Sequence, residues 1–100
     1  MIKTDLLKKV LLAFQNLDGW QDSVLEYSIL DAWNNNLHLI ASLVFDTNLV
    51  KIDIDIYDEN IDEYAVEIEE VLLLDTDVDT NVGLILDFLQ AQIKYARDAQ

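Results

Sequence analysis

The chain has no cysteine, no proline, two glycines and one histidine in 100 residues, and six bases against twenty acids. Each shortage removes a class of chemistry. Without cysteine there is no disulfide and no thiolate nucleophile or metal site, which suits a reducing compartment. Without proline, and with only Gly19 and Gly83, nothing reads as a flexible linker, a low-complexity tract, a repeat array or a glycine-rich phosphate cradle. His38 alone cannot build a zinc site of the usual nitrogen and sulfur type and reads as a surface strand residue. Ser23, Ser28 and Ser42 have no base and orienting acid to form a triad, and no nucleophile-elbow sequence is present. No apolar run approaches the ~20 residues of a membrane span. The start, Met1 to Asp5 followed by an apolar stretch broken at Lys8 and Lys9, lacks the apolar core and cleavage site of a signal peptide. The expectation is a cytoplasmic protein with no cofactor, no metal and no catalytic residue.

What the chain has is acid, and the acid is local. Thirteen of the twenty carboxylates fall between Asp46 and Asp79 with Lys51 the one base among them, a net charge of −12 out of −14. At 52% hydrophobic and 26% charged, the chain still has enough apolar residues to fold, unlike a disordered acidic tail. One hundred residues make a single compact acidic domain, 1–100. The acidity argues against nucleic acid and anionic membranes as direct ligands, because phosphates bind by exchanging counterions for Lys and Arg. It favours a basic protein surface instead.

The hydrophobic pattern predicts an α+β fold: an N-terminal helix, an antiparallel four-stranded meander and a C-terminal helix, both helices on one face of the sheet. Leu6, Leu7, Val10, Leu11, Phe14 and Leu17 recur at helical spacing, with Thr4 as cap and Gly19 as stop. The period then changes to two. Ser23–Trp33 and Leu37–Phe45 flank Asn34-Asn35-Asn36 as a hairpin, and Leu49–Tyr57 follows with Val50, Ile52, Ile54 and Ile56 on one side and Lys51, Asp53, Asp55 and Tyr57 on the other. Residues 61–74 admit two readings. As a helix they begin at Asn60 with Glu63 in a capping box, and the sheet has three strands. As a strand, Val66, Ile68, Leu72 and Leu74 face inward, Glu67 and Glu69 outward, and Glu70 needs a bulge or an exit to solvent. The strand is preferred because it covers the edge of the third strand. Asp79 or Thr80 then caps a helix to about Asp98, with Val82, Ile85, Phe88, Leu89, Ile93 and Ala96 toward the core.

Asp53, Asp55, Glu67 and Glu69 would share the sheet face away from the helices, at ~4.8 Å between strands and ~6.8 Å along them. Carboxylates so spaced could serve a glycosidase, but that chemistry needs a cleft and a raised pKa that a flat solvated face does not supply. Spread over ~30 Å of strand, the net −12 is one charge per ~2.5 Å, against about one per 1.7 Å of duplex DNA. Asp75-Thr76-Asp77-Val78-Asp79 imitates the opening of a calcium loop but has Thr80 and Leu86 where Gly and Glu are required, and reads as a polar loop before a helix. If Leu37, Leu39, Ala41, Leu43 and Phe45 face the helices, Ile40 and Val44 point outward beside Leu30 and Ala32 as an apolar patch, a contact for a partner or for a homodimer. Trp20 and Trp33 read as core-edge aromatics.

These readings converge on an acidic inhibitor that fills the basic groove of a nucleic-acid-binding protein or nuclease, its carboxylates standing in for phosphates. Asp53, Asp55, Asp58, Glu59, Asp62, Glu63, Glu67 and Glu69 would pair with Arg and Lys, with Tyr57 adding aromatic area. In size, charge and lack of cysteine the chain resembles phage anti-defence proteins, among them anti-CRISPR and anti-restriction DNA mimics, and immunity proteins for nuclease toxins. The alternative is a small acidic secretion-type chaperone that holds a client on the Leu30, Ala32, Ile40 and Val44 patch.

Overall fold

In the computed structural model, which describes residues 3–17, 21–26 and 28–98, the chain runs α1 (Lys3–Gln15), β1 (Gln21–Glu26), β2 (Ile29–Asn34), β3 (Leu37–Asp46), β4 (Leu49–Asp58), β5 (Glu63–Leu73), α2 (Val78–Asp98). The strands form one antiparallel sheet in chain order, β1-β2-β3-β4-β5. The helix, meander, helix order is therefore as the hydrophobic pattern predicts, and residues 61–74 take the strand reading. One element differs. The run expected as a single strand from Ser23 to Trp33 is two strands, β1 and β2, so the meander has five strands.

The inner face of the sheet is apolar because period-two runs place every second residue there. Leu30 and Ala32 of β2, Leu37, Leu39, Ala41 and Leu43 of β3, and Val50, Ile52, Ile54 and Ile56 of β4 are all buried. Against them lie Leu6, Val10 and Phe14 of α1 and Ile85, Leu89, Ile93 and Ala96 of α2, spaced at three and four residues so that each helix turns one stripe to the sheet. Both helices thus occupy one side and the other side is open. α1 packs on β1 and α2, and α2 on β4 and β5. No helix among the described residues is long and apolar enough to cross a membrane.

The helix ends differ from expectation in their caps. Thr4 lies inside α1, which begins at Lys3, and Gly19 and Trp20 lie outside the described residues. The last turn of α1 tightens through Asn16 N to Ala13 O at 3.3 Å and Leu17 N to Phe14 O at 3.0 Å. At the start of α2 the cap is Asp77, not Asp79 or Thr80: its Oδ2 accepts from Thr80 N at 3.0 Å and from Thr80 Oγ1 at 2.7 Å. The loop before it is clasped by Asn81, whose fully buried amide accepts from Asp75 N at 2.7 Å and donates to Asp75 O at 2.9 Å.

Candidate acidic face of the sheet

Register decides what the open face presents, because a slip of one residue turns every side chain to the other side. β2 meets β3 through the two-residue turn Asn35-Asn36, which pairs Asn34 with Leu37, Trp33 with His38, Asp31 with Ile40 and Ile29 with Ser42. β3 and β4 pair His38 with Tyr57, Ile40 with Asp55, Ser42 with Asp53 and Val44 with Lys51. β4 and β5 pair Asp53 with Glu69, Asp55 with Glu67 and Lys51 with Val71. The open face is therefore banded across the strands.

At one end is an aromatic row, Trp33, His38, Tyr57 and Tyr64. The Trp33 and His38 rings stack at 3.9 Å and 8°, Tyr57 meets Tyr64 edge to face at 5.1 Å, and the Tyr57 hydroxyl donates to Asp62. Next come two acidic rows, Asp31, Ile40, Asp55, Glu67 and then Ile29, Ser42, Asp53, Glu69. At the far end Val44, Lys51 and Val71 lead to Asp46, Leu49 and Leu73. Tyr64 reaches the open face because a bulge at Ala65 shifts the pairing, from Ile56 with Val66 to Tyr57 with Tyr64.

Two carboxylates in this field perturb each other. Asp53 is raised above the usual aspartate range, first by its hydrogen bond to Glu69 and then by loss of solvation and by the Glu69 charge. Glu69 is lowered, first by Lys51, whose Nζ lies 3.1 Å from its Oε1, and then by Asp53. Lys51 beside Glu69 thus favours the ionised form of that carboxylate and is itself raised by it. The arrangement is a crowded anion field with one internal cation. It offers no nucleophile beside a base, and among the described residues no three His, Asp or Glu side chains are placed to hold a metal.

The structure sorts the expected partner-binding residues. Asp53, Asp55, Glu67 and Glu69 share the open face, with Tyr57 in the adjoining row. Glu59 and Asp62 are exposed in the β4-β5 turn, where Asp62 adopts a left-handed φ of 54°, and Glu63 is exposed where β5 begins. Asp58 does not belong with them. It is fully buried, and its Oδ1 accepts from Asn36 Nδ2 at 2.6 Å and Asn60 N at 2.9 Å, so it ties two neighbouring turns together. The parity of β4 carried that signal, since Asp58 continues the inward series Val50, Ile52, Ile54, Ile56.

The expected apolar patch is also corrected. Leu30 and Ala32 are buried against the helices at 1% and 0% exposure, leaving Ile40 and Val44 as its exposed members. Their outward neighbours on β2 are Ile29, Asp31 and Trp33. The expectation assumed a turn of three asparagines; the turn has two residues, and the difference of one inverts the strand. The same inversion hid Trp33 and the Asp31 to His38 contact, Nε2 to Oδ1 at 2.6 Å. Of the two outcomes open to Glu70, a bulge or an exit to solvent, it takes the exit, on the helix side opposite Ile52, and the bulge of β5 lies at Ala65.

No protein-family model matches the chain, and no curated protein or solved structure matches it.

Proposed function

We propose that this chain is a non-enzymatic acidic inhibitor that occupies the basic groove of a nucleic-acid-binding protein or nuclease, of the phage anti-defence or toxin-immunity kind, acting in the cytoplasm. The observation that carries the reading is the pair of adjacent acidic rows on a sheet face that the helices leave open. Asp31, Asp46, Asp53, Asp55, Glu67 and Glu69 on the face, with Glu59, Asp62 and Glu63 at its tip, outnumber Lys51 by nine to one. Over the ~33 Å of β4 this net −8 is about one charge per 4 Å. That is sparser than the whole acidic segment suggested. It is close to the one charge per ~3.4 Å of a single nucleic-acid strand, so the face imitates one strand's phosphates more closely than a duplex.

The aromatic row supports the same occupant. Arginine stacks on aromatic faces and pairs bidentately with carboxylates, so a groove built to hold phosphates and bases meets both kinds of contact here. The client-holding alternative loses Leu30 and Ala32, half of the patch on which it rested. The test is competition: the chain should displace single-stranded nucleic acid from a basic nucleic-acid-binding partner, weakening steeply as salt rises. Reversal of two adjacent charges by Asp53→Lys with Asp55→Lys should cost at least roughly tenfold in affinity. Displacement that ignores both salt and the reversals rejects the reading.

A further inference from the structure

β5 is the outermost strand of an open sheet, and its outward edge has no further strand beside it among the described residues. From Glu67 to Val71 five consecutive residues are exposed, so neither the sheet's face nor a loop covers that stretch. Natural edges are blunted by proline, charged side chains, bulges, inward-pointing charges or a covering element. β5 has no proline and no covering strand among the described residues, and its edge is guarded by charge of one sign, by the bulge at Ala65 and by Glu70, whose Oε1 accepts from Val71 N at 3.2 Å. The strand has four glutamates, Glu63, Glu67, Glu69 and Glu70, and no base.

Those glutamates select among the chains that could add to the edge. A second copy pairing antiparallel about Glu69 would set Glu69 against Glu69 and bring Glu67 and Glu70 into the same acidic stretch, and like charges facing across strands are unfavourable. Self-association through β5 is opposed by its own charge. A strand with Lys or Arg at alternate positions meets the opposite condition, because Glu67 and Glu69 lie along one side of it. Toward α2 a cleft of about 350 Å³ is lined by Ala65, Val66, Glu67, Ile68, Gln92 and Tyr95. Ile68 and Tyr95 expose 39% and 63% of their surface there, suited to the apolar alternate side chains of the same strand.

We infer that β5 receives an extended Lys- or Arg-rich segment of the partner as a sixth strand, its basic side chains over Glu67 and Glu69 and its apolar ones over Ile68 and Tyr95. This rests on the reading of the acidic face and adds how the partner is held: main-chain hydrogen bonds supply affinity and the alternating pattern supplies specificity.

The experiment uses the full chain, ¹⁵N-labelled, at low salt, with three synthetic decapeptides: alternating Lys and Val, the same peptide N-methylated at alternate backbone amides, and alternating Glu and Val. The Lys/Val peptide should slow hydrogen exchange roughly tenfold at the outward-pointing amides between Val66 and Leu72. The methylated and acidic peptides should not. Equal binding of the methylated peptide, with shifts at Asp53 and Asp55 and no protection in β5, overturns the edge inference while leaving the acidic face standing. Protection in β5 supports the inference even where the double charge reversal leaves partner capture intact, a result that rejects the face alone. Failure of the Lys/Val peptide to bind also overturns it.

Discussion

Asp77 and Asp58 show how differently single acids of this chain are used. Asp77 lies below the ordinary aspartate range because the Thr80 hydroxyl and amide both donate to its carboxylate, with Lys9 a smaller contribution. Those bonds exist only in the folded state, so the folded pKa lies below the unfolded one. The stabilisation is complete above the unfolded carboxylate pKa and is lost as pH falls through the folded value. Asp77→Ala should therefore lower the melting temperature at pH 7, and the gap from the parent chain should close as the solution is acidified toward pH 2. Asp77→Ser, which caps through a hydroxyl, should recover most of the loss at pH 7 without that pH dependence. Thermal unfolding of the three proteins across pH checks this; a gap that is constant with pH would refute the carboxylate's part. Asp58 looked like one more surface charge from composition, and only its place in the parity of β4 separates it from Asp55.

The elements, their order and the place of both helices on one side of the sheet were legible wherever a period ran long enough, and the register of β2 and the local irregularity of β5 were not. β4 has a clean alternation and folds as read, and the strand at residues 61–74 prevails over the helical stripe in the same residues because β4 would otherwise be an exposed edge. The aromatic row was hidden by two local events with weak sequence signals: a two-residue turn where three asparagines are available, and the bulge at Ala65 that brings Tyr64 to the open face. Asn35 marks the turn, holding a left-handed φ of 51° that asparagine tolerates and a β-branched residue does not. Asn35→Val should cost about 1–2 kcal/mol in denaturant unfolding and Asn35→Gly less than about 0.5 kcal/mol. A valine variant as stable as the parent would show that the turn does not impose the register that turns Trp33 and Asp31 outward.

At the scale of the molecule, the folded state gathers a net −14 unevenly. The helices and inner face contribute little, while the open face and its turns hold acids one strand apart, about 4.8 Å, well inside the screening length of ~10 Å at 0.1 M salt. Lys51 to Glu69 and Lys9 to Asp79 at 3.6 Å offset only part of that repulsion, since exposed pairs contribute little. Unfolding spreads the same charges over a much longer chain. Folding should therefore be opposed by self-repulsion at low ionic strength and helped by salt, in contrast to a protein whose exposed ion pairs are net stabilising. Raising sodium chloride from about 10 mM to about 0.5 M should lift the melting temperature on the order of 5 °C. Asp53→Lys with Asp55→Lys, which moves the formal charge from −14 to −10, should raise the melting temperature at low salt and flatten that dependence. If the double variant keeps the parent's salt slope, the repulsion is not concentrated on the open face, and the acidic rows lose their claim to be the chain's dominant electrostatic feature.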